Sequence, residues 1–222
     1  MEMTTALWSF ALVVGLLTLT PGLDTALILR TSALGHRRQA WGVVLGIQTG
    51  TLFWGTLTSA GVTALLTASQ LAYEVLRWAG AAYLVWMGVG MLRASVKAKA
   101  EGKAEGKGAG EAEAEAKGAA PADGGMAAGW RRGTLTNLLN PKVGVFYVAM
   151  LPQFIPAGAP HFAAGVALTC VHVLEGLVWS TALVGFAQVL RGWLNRPVAR
   201  RVMDRVTGLV VVGFGVKLAL AD

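Results

Sequence analysis

Apolar runs long enough to cross a bilayer, about 20 residues each, recur along nearly the whole chain and are interrupted only by short polar clusters. In a chain of 222 residues that is 55 % hydrophobic and only 14 % charged, this is far more apolar length than one soluble core can use. A backbone in hydrocarbon must satisfy its own hydrogen bonds, and no recurring alternation of polarity suits barrel strands, so the spans are expected to be helices. The runs fall at about residues 6–33, 41–67, 72–92, 130–152, 162–190 and 205–221. The expected fold is all-α and integral to a membrane, with six transmembrane helices. Glu2 stands where a signal peptide has a basic region, and no small-residue cleavage site follows the first run, so that run is expected to be retained.

Residues 97–125 are Ala, Gly, Glu and Lys with almost no large apolar side chain, and such a stretch cannot bury a core. Gly102, Gly106, Gly108 and Gly110 interrupt its helical propensity. The chain thus divides into a first three-helix repeat at 1–96, a disordered linker at 97–126 and a second three-helix repeat at 127–222. The formal net charge of +7 does not point to nucleic acid, because Lys and Arg are scattered over the connections between spans and no nucleic-acid-binding motif occurs. Arg30, Arg37 and Arg38 lie between spans one and two; Arg93, Arg131, Arg132 and the linker lysines lie between three and four; Arg191, Arg196, Arg200, Arg201 and Arg205 follow span five. The alternate connections, 68–71 and 152–161, carry none. The positive-inside rule then puts the linker in the cytoplasm and both termini outside, in a multi-pass protein of the cytoplasmic membrane.

Span one contains Thr20-Pro21-Gly22-Leu23-Asp24, where a proline followed by glycine removes a backbone donor and loosens the helix. Span four contains Asn140-Pro141-Lys142 at a comparable depth. Spans three and six share weaker echoes, Arg-x-x-Gly (Arg77, Gly80; Arg205, Gly208) and then Gly-x-Gly (Gly88, Gly90; Gly213, Gly215). Three spans followed by three, each set opening with a broken helix, make two inverted repeats, the plan of a transporter with its site between the halves. Kinks that serve packing alone are the alternative for either break taken singly.

At Pro21-Gly22-Leu23-Asp24, Gly46-Ile47-Gln48-Thr49-Gly50, Ala79-Gly80-Ala81-Ala82-Tyr83-Leu84, Asn140-Pro141-Lys142 and Leu151-Pro152-Gln153-Phe154 the chain resembles the lysine exporter and homoserine/threonine exporter family (LysE/RhtB) of amino-acid efflux proteins. The resemblance covers nearly all of the chain except the linker. Two departures are Leu23, where the family usually has a second proline, and Glu175, where an aliphatic residue is expected. The resemblance implies a secondary exporter of an amino acid or a close derivative, working by alternating access and driven by proton antiport. Its partners are then a small-molecule substrate, H+ and the lipid bilayer, with no nucleic acid; a homo-oligomer is compatible with it. An exporter of another solute, such as a divalent metal like cadmium, or a non-transporting structural membrane protein is the alternative. No cofactor is implied. No Walker loop, Ser–His pair, aspartate pair or H-E-x-x-H motif is present, so neither a primary pump nor an enzyme is expected.

An ionisable group near mid-membrane is costly unless it pairs or lines a wet cavity, which makes Asp24 the first candidate. It falls in the first turn of the second half-helix, where the helix dipole favours a carboxylate, and a capping acid is the structural alternative. The resemblance implies that Asp24 binds the substrate's amino group or carries the coupled proton. Lys142 opens the corresponding half-helix of span four, where a cation needs an anion close by: a substrate carboxylate, or Asp24 in a permanent ion pair. Asn140 is expected to cap that half-helix or offer its amide to substrate. Gly42, Gly46 and Gly50 form one close-packing face of span two, and Gln48 points away from it, toward a partner or the translocation path. His172 and Glu175 lie three apart on one face of span five, as a hydrogen-bonded pair or as coupling groups. They are too few for a metal site. Cys170 is the only cysteine and is expected to be a buried thiol.

Overall fold

The computed structural model describes residues 2–100, 124–156, 158–187, 189 and 196–220, and every regular element among them is helical. The elements are α1 (Met3–Leu19), α2 (Leu23–Ala33), α3 (Arg37–Ala68), α4 (Gln70–Ala100), α5 (Gly125–Leu138), α6 (Pro141–Val145), α7 (His161–Gly185) and α8 (Pro197–Leu220). After α6 the chain widens into a π turn at Phe146–Met150 and tightens into a 3-10 turn at Leu151–Phe154. Most of the expected linker, residues 101–123, lies outside the described residues, and its two ends are helical, as the last residues of α4 and the first of α5.

Both expected breaks are present. Pro21 and Gly22 separate α1 from α2, and the two helices meet at a bend of 53°. Thr20 closes α1 by donating both its backbone N–H (3.1 Å) and its hydroxyl (2.8 Å) to the Leu16 carbonyl. In the second half, α5 ends at Leu138 and α6 restarts at Pro141, a position whose N–H a helix would leave unused. The α1–α2 pair taken together, and α7 alone, are apolar and long enough to cross a membrane. At 32 residues α3 also has the length, and its Gly42, Gly46, Gln48, Gly50 and Gly55 sit where other helices cover them.

Close contact between α3 and α5 rests on reciprocal glycines. A Cβ at Gly42 or Gly46 would stand 2.1 Å from the carbonyl oxygen of Met126 or Trp130. One at Gly129 or Gly133 would stand 2.1 or 2.2 Å from that of Gln39 or Val43. Gly42, Gly46 and Gly50 therefore do form a packing face, and their partner stripe on α5 was not foreseen. The pairing numbers rise together, so α3 and α5 run parallel. By the same reading α3 and α7 run antiparallel, with Gly55 on Thr169 and Gly165 on Ser59. So do α4 and α8, where Gly88 meets Gly208 and Val212 while Gly215 meets Val85.

Two apolar clusters result. One joins Phe10, Val14, Phe146, Tyr147, Met150, Phe154 and Leu168; the other joins Leu27, Ile28, Val43, Val44 and Leu183. Between them, at the level of the two breaks, lies a layer of buried polar side chains: Thr20, Gln48, Thr51, Asn137, Asn140, His172 and Ser180. Outward faces carry Leu12, Phe53, Leu174 and Val178, all exposed. Cys170 shares that outer face of α7 with Leu174 and Val178 in steps of four and is exposed, which corrects the expected buried thiol.

Candidate functional site

A cavity of about 70 Å³ opens in the polar layer where the two breaks meet, several times what one water needs. Asp24, Gln48, Asn140, Lys142 and His172 all line it, together with Gly22, Thr51, Asn137 and Trp179. Five of the six side chains expected to carry function thus converge from α2, α3, α6, α7 and the residue before α6. Glu175 does not.

Asp24 lies in the first turn of α2, whose N-cap, Gly22, has no side chain to offer the exposed N–H groups. The helix dipole there favours the carboxylate. Its Oδ2 accepts a hydrogen bond from Asn137 Nδ2 at 2.9 Å, while Oδ1 is buried with no partner among the described residues. Asn137 also donates, at 3.4 Å, to Thr51 Oγ1 on α3. Asp24 is thus half satisfied, with one acceptor oxygen unused, which is an unfavourable state unless a donor arrives.

Lys142 has a different anchor from either that its position suggested. Its Nζ donates to the carbonyls of Leu17 (2.9 Å) and Thr20 (3.1 Å), the last turn of α1. A cation at the start of α6 would be repelled by that helix alone; here its charge is delivered to the carboxyl end of another helix, where orphan carbonyls and the dipole both favour it. No ion pair with Asp24 forms, and one ammonium proton stays unassigned. Asn140 caps α6, its Oδ1 accepting the Lys142 N–H at 3.1 Å.

Gln48 is buried against Gly176 of α7, whose missing side chain makes room for the amide. His172 and Glu175, expected as a pair, are separated. The His172 ring stacks on Tyr147 with centroids 5.7 Å apart and an interplanar angle of 18°, and its Nδ1 shares a 2.9 Å hydrogen bond with the Tyr147 hydroxyl. Glu175 lies over Gly15 of α1, its Oε2 without a partner among the described residues, and fronts a groove on the outer face. The three-residue spacing does put both on α7, but α1 and the π turn divide the face between them.

Asn137, Thr51 and Tyr147 were not anticipated. Asn137 carried a signal, being a polar residue in an apolar run, three positions before Asn140. Tyr147 carried none, since the π turn that aims it at His172 does not follow from local composition. The hydrogen bond between the Thr20 and Thr207 hydroxyls, which ties the end of α1 to α8, joins residues 187 apart in sequence and was equally unforeseeable.

The sequence model of the LysE type translocator family matches residues 6–222. The homoserine/homoserine lactone efflux protein of Salmonella typhimurium is 30 % identical over 216 residues, covering 96 % of this chain and 97 % of that one. An uncharacterized membrane protein of Bacillus subtilis is 25 % identical over 97 % of this chain and 99 % of its own length. Another, of Vibrio cholerae, is 28 % identical over 91 % of each. No solved structure matches the chain.

Proposed function

Because this chain belongs to the LysE type translocator family, a family of membrane-embedded transporters, we propose that it is a secondary exporter moving an amino acid or a close derivative outward by alternating access, with H+ as the coupling ion. The observation that carries this reading is the unpaired arrangement of Asp24 and Lys142 in one cavity. An acceptor oxygen without a donor and an ammonium with a proton to spare suit the two ends of a zwitterion. The substrate ammonium takes Asp24 Oδ1, and the substrate carboxylate takes the free Lys142 proton. Gln48 and the Asn137 amide complete the polar wall. The efflux relative in Salmonella, named for homoserine and its lactone, supports a substrate of this size; homoserine is such a zwitterion, and its lactone keeps only the ammonium.

The six spans of the proposal form two inverted repeats, 1–96 and 127–222, around a cytoplasmic linker. The parallel course of α3 and α5 supports this, since α4 must cross back between them, as do the antiparallel α3–α7 and α4–α8 pairs. The two halves are tied together at the first break, where Asn137 at the end of α5 holds Asp24 and Lys142 of α6 holds the Leu17 and Thr20 carbonyls at the end of α1. Substrate that draws Lys142 away from those carbonyls, and supplies Asp24 with a donor of its own, loosens the ties between the halves. That gives binding energy a route into the change of access. Asp24 is the group placed to exchange substrate for a proton.

The deciding experiment is efflux of labelled homoserine, leucine and lysine from cells expressing the wild type or Asp24→Asn at matched membrane levels. At least tenfold slower efflux of the transported amino acid is expected in the variant. Wild-type efflux by Asp24→Asn would sink the site. For sidedness, a cysteine at position 105 in a Cys170→Ser background should resist an impermeant maleimide in intact cells and react once the membrane is opened. Labelling of intact cells would reverse the topology.

A further inference from the structure

A groove of about 420 Å³ runs along the outer face between α1 and α7, and Gly15, Thr18, Leu174, Glu175, Val178 and Trp179 line it. Leu174 and Val178 form its outer rim and are 63 % and 73 % exposed, on the face that the proposed topology turns to the bilayer. Its walls are almost wholly apolar, yet it holds a carboxylate. Glu175 Oε2 folds over the bare backbone of Gly15 and is buried with no hydrogen-bond partner among the described residues, and the Thr18 hydroxyl and the Trp179 indole N–H have none among them either. A carboxylate with an unsatisfied oxygen beside an apolar groove is expensive in hydrocarbon unless something polar is received there.

Two of these residues also belong to the inner cavity. Thr18 and Trp179 line both spaces, so one side chain from each helix separates the groove from Asp24 and Lys142. We propose that the groove is a lateral binding site for small amphiphilic primary amines, not amine-headed lipids, which place the ammonium on Glu175 and the apolar tail along Leu174 and Val178, and that the Thr18–Trp179 partition connects it with the transport cavity. Charge complementarity decides the occupant: a carboxylate calls for a cation, and the apolar walls exclude one that is polar throughout. A free amino acid brings a carboxylate of its own, repelled by Glu175, and stays with the inner site. An amino acid whose carboxyl is masked as an ester or lactone lacks that repulsion and suits the groove. The connection to transport rests on the export reading above; the binding site itself does not.

Leucine methyl ester is the probe, titrated into the full chain in nanodiscs of phosphatidylglycerol, which has no amine headgroup, at neutral pH. Saturable binding is expected, weakened at least tenfold by Glu175→Gln and by Val178→Phe, which fills the groove from its exposed rim. Phe53→Ala, on an exposed face of α3 outside both the groove and the cavity, should bind the ester within twofold of wild type. Unchanged ester affinity in both groove variants overturns the proposal, as does an equal loss of ester binding in Phe53→Ala. If added phosphatidylethanolamine displaces the ester at lipid-like ratios, the groove is a lipid site and the proposal also fails. Failure of the wild type to export any labelled amino acid would remove the export reading while leaving the ester result to stand by itself.

Discussion

The two helix breaks are alike in the sequence and unlike in how they are held. The second closes on itself: Asn140 caps α6, and Pro141 takes the position where its missing N–H costs nothing. The first is closed locally only at the Leu16 carbonyl, by Thr20; Gly22 offers no side chain to α2, and the carbonyls of Leu17 and Thr20 look for donors. Those carbonyls find Lys142, from the other half of the chain. One break is thus a property of its own few residues, while the other depends on the two halves being docked. A device that must open and close can use such a difference, since separating the halves disturbs the first break and leaves the second intact.

Predictions follow the contrast from its dependent side to its self-sufficient side. The largest effect is expected from Lys142→Ala, which removes two charge-assisted hydrogen bonds of roughly 1.5–3 kcal/mol each and the cation that faces substrate. Efflux should fall at least tenfold, and the Tm of the purified protein in detergent should fall with it. A variant that lost efflux at wild-type Tm would show that Lys142 does not hold the first break. Asn137→Ala leaves Asp24 with both oxygens unpartnered, at a cost of about 2 kcal/mol in Tm measurements, with efflux reduced less than in Asp24→Asn. Equal losses of efflux in the two variants would make Asn137 a substrate contact rather than a support. Asn140→Ala should cost about 1 kcal/mol, the worth of a single cap. A larger loss would mean that the second break also depends on its surroundings.

How much of this was legible beforehand depends on the range of the interaction. Pro21-Gly22 and Asn140-Pro141 could be read as breaks because a proline interrupts a helix whatever surrounds it. The cap at Asn140 was readable for the same reason, being a bond over two residues. Partners could not be read. Lys142 pointed to an anion, and its position invited Asp24, but the carbonyl ends of α1 are equally good hosts for a cation and only docking brings them near. His172 and Glu175 share a helix face by spacing, yet that face is wide enough for Tyr147 to claim one while Gly15 admits the other on the outside.

The sequence by itself therefore determined the all-helical chain, the places where two helices break and the polar residues that hydrocarbon would not tolerate alone, because each of these follows from local backbone chemistry and the cost of burying charge. Tertiary structure decided which polar group meets which. Hydrogen-bond partners in an apolar interior are chosen by proximity among several acceptable donors and acceptors, and proximity between α1 and α6, or between α2 and α5, is set by how glycine stripes on distant helices fit together.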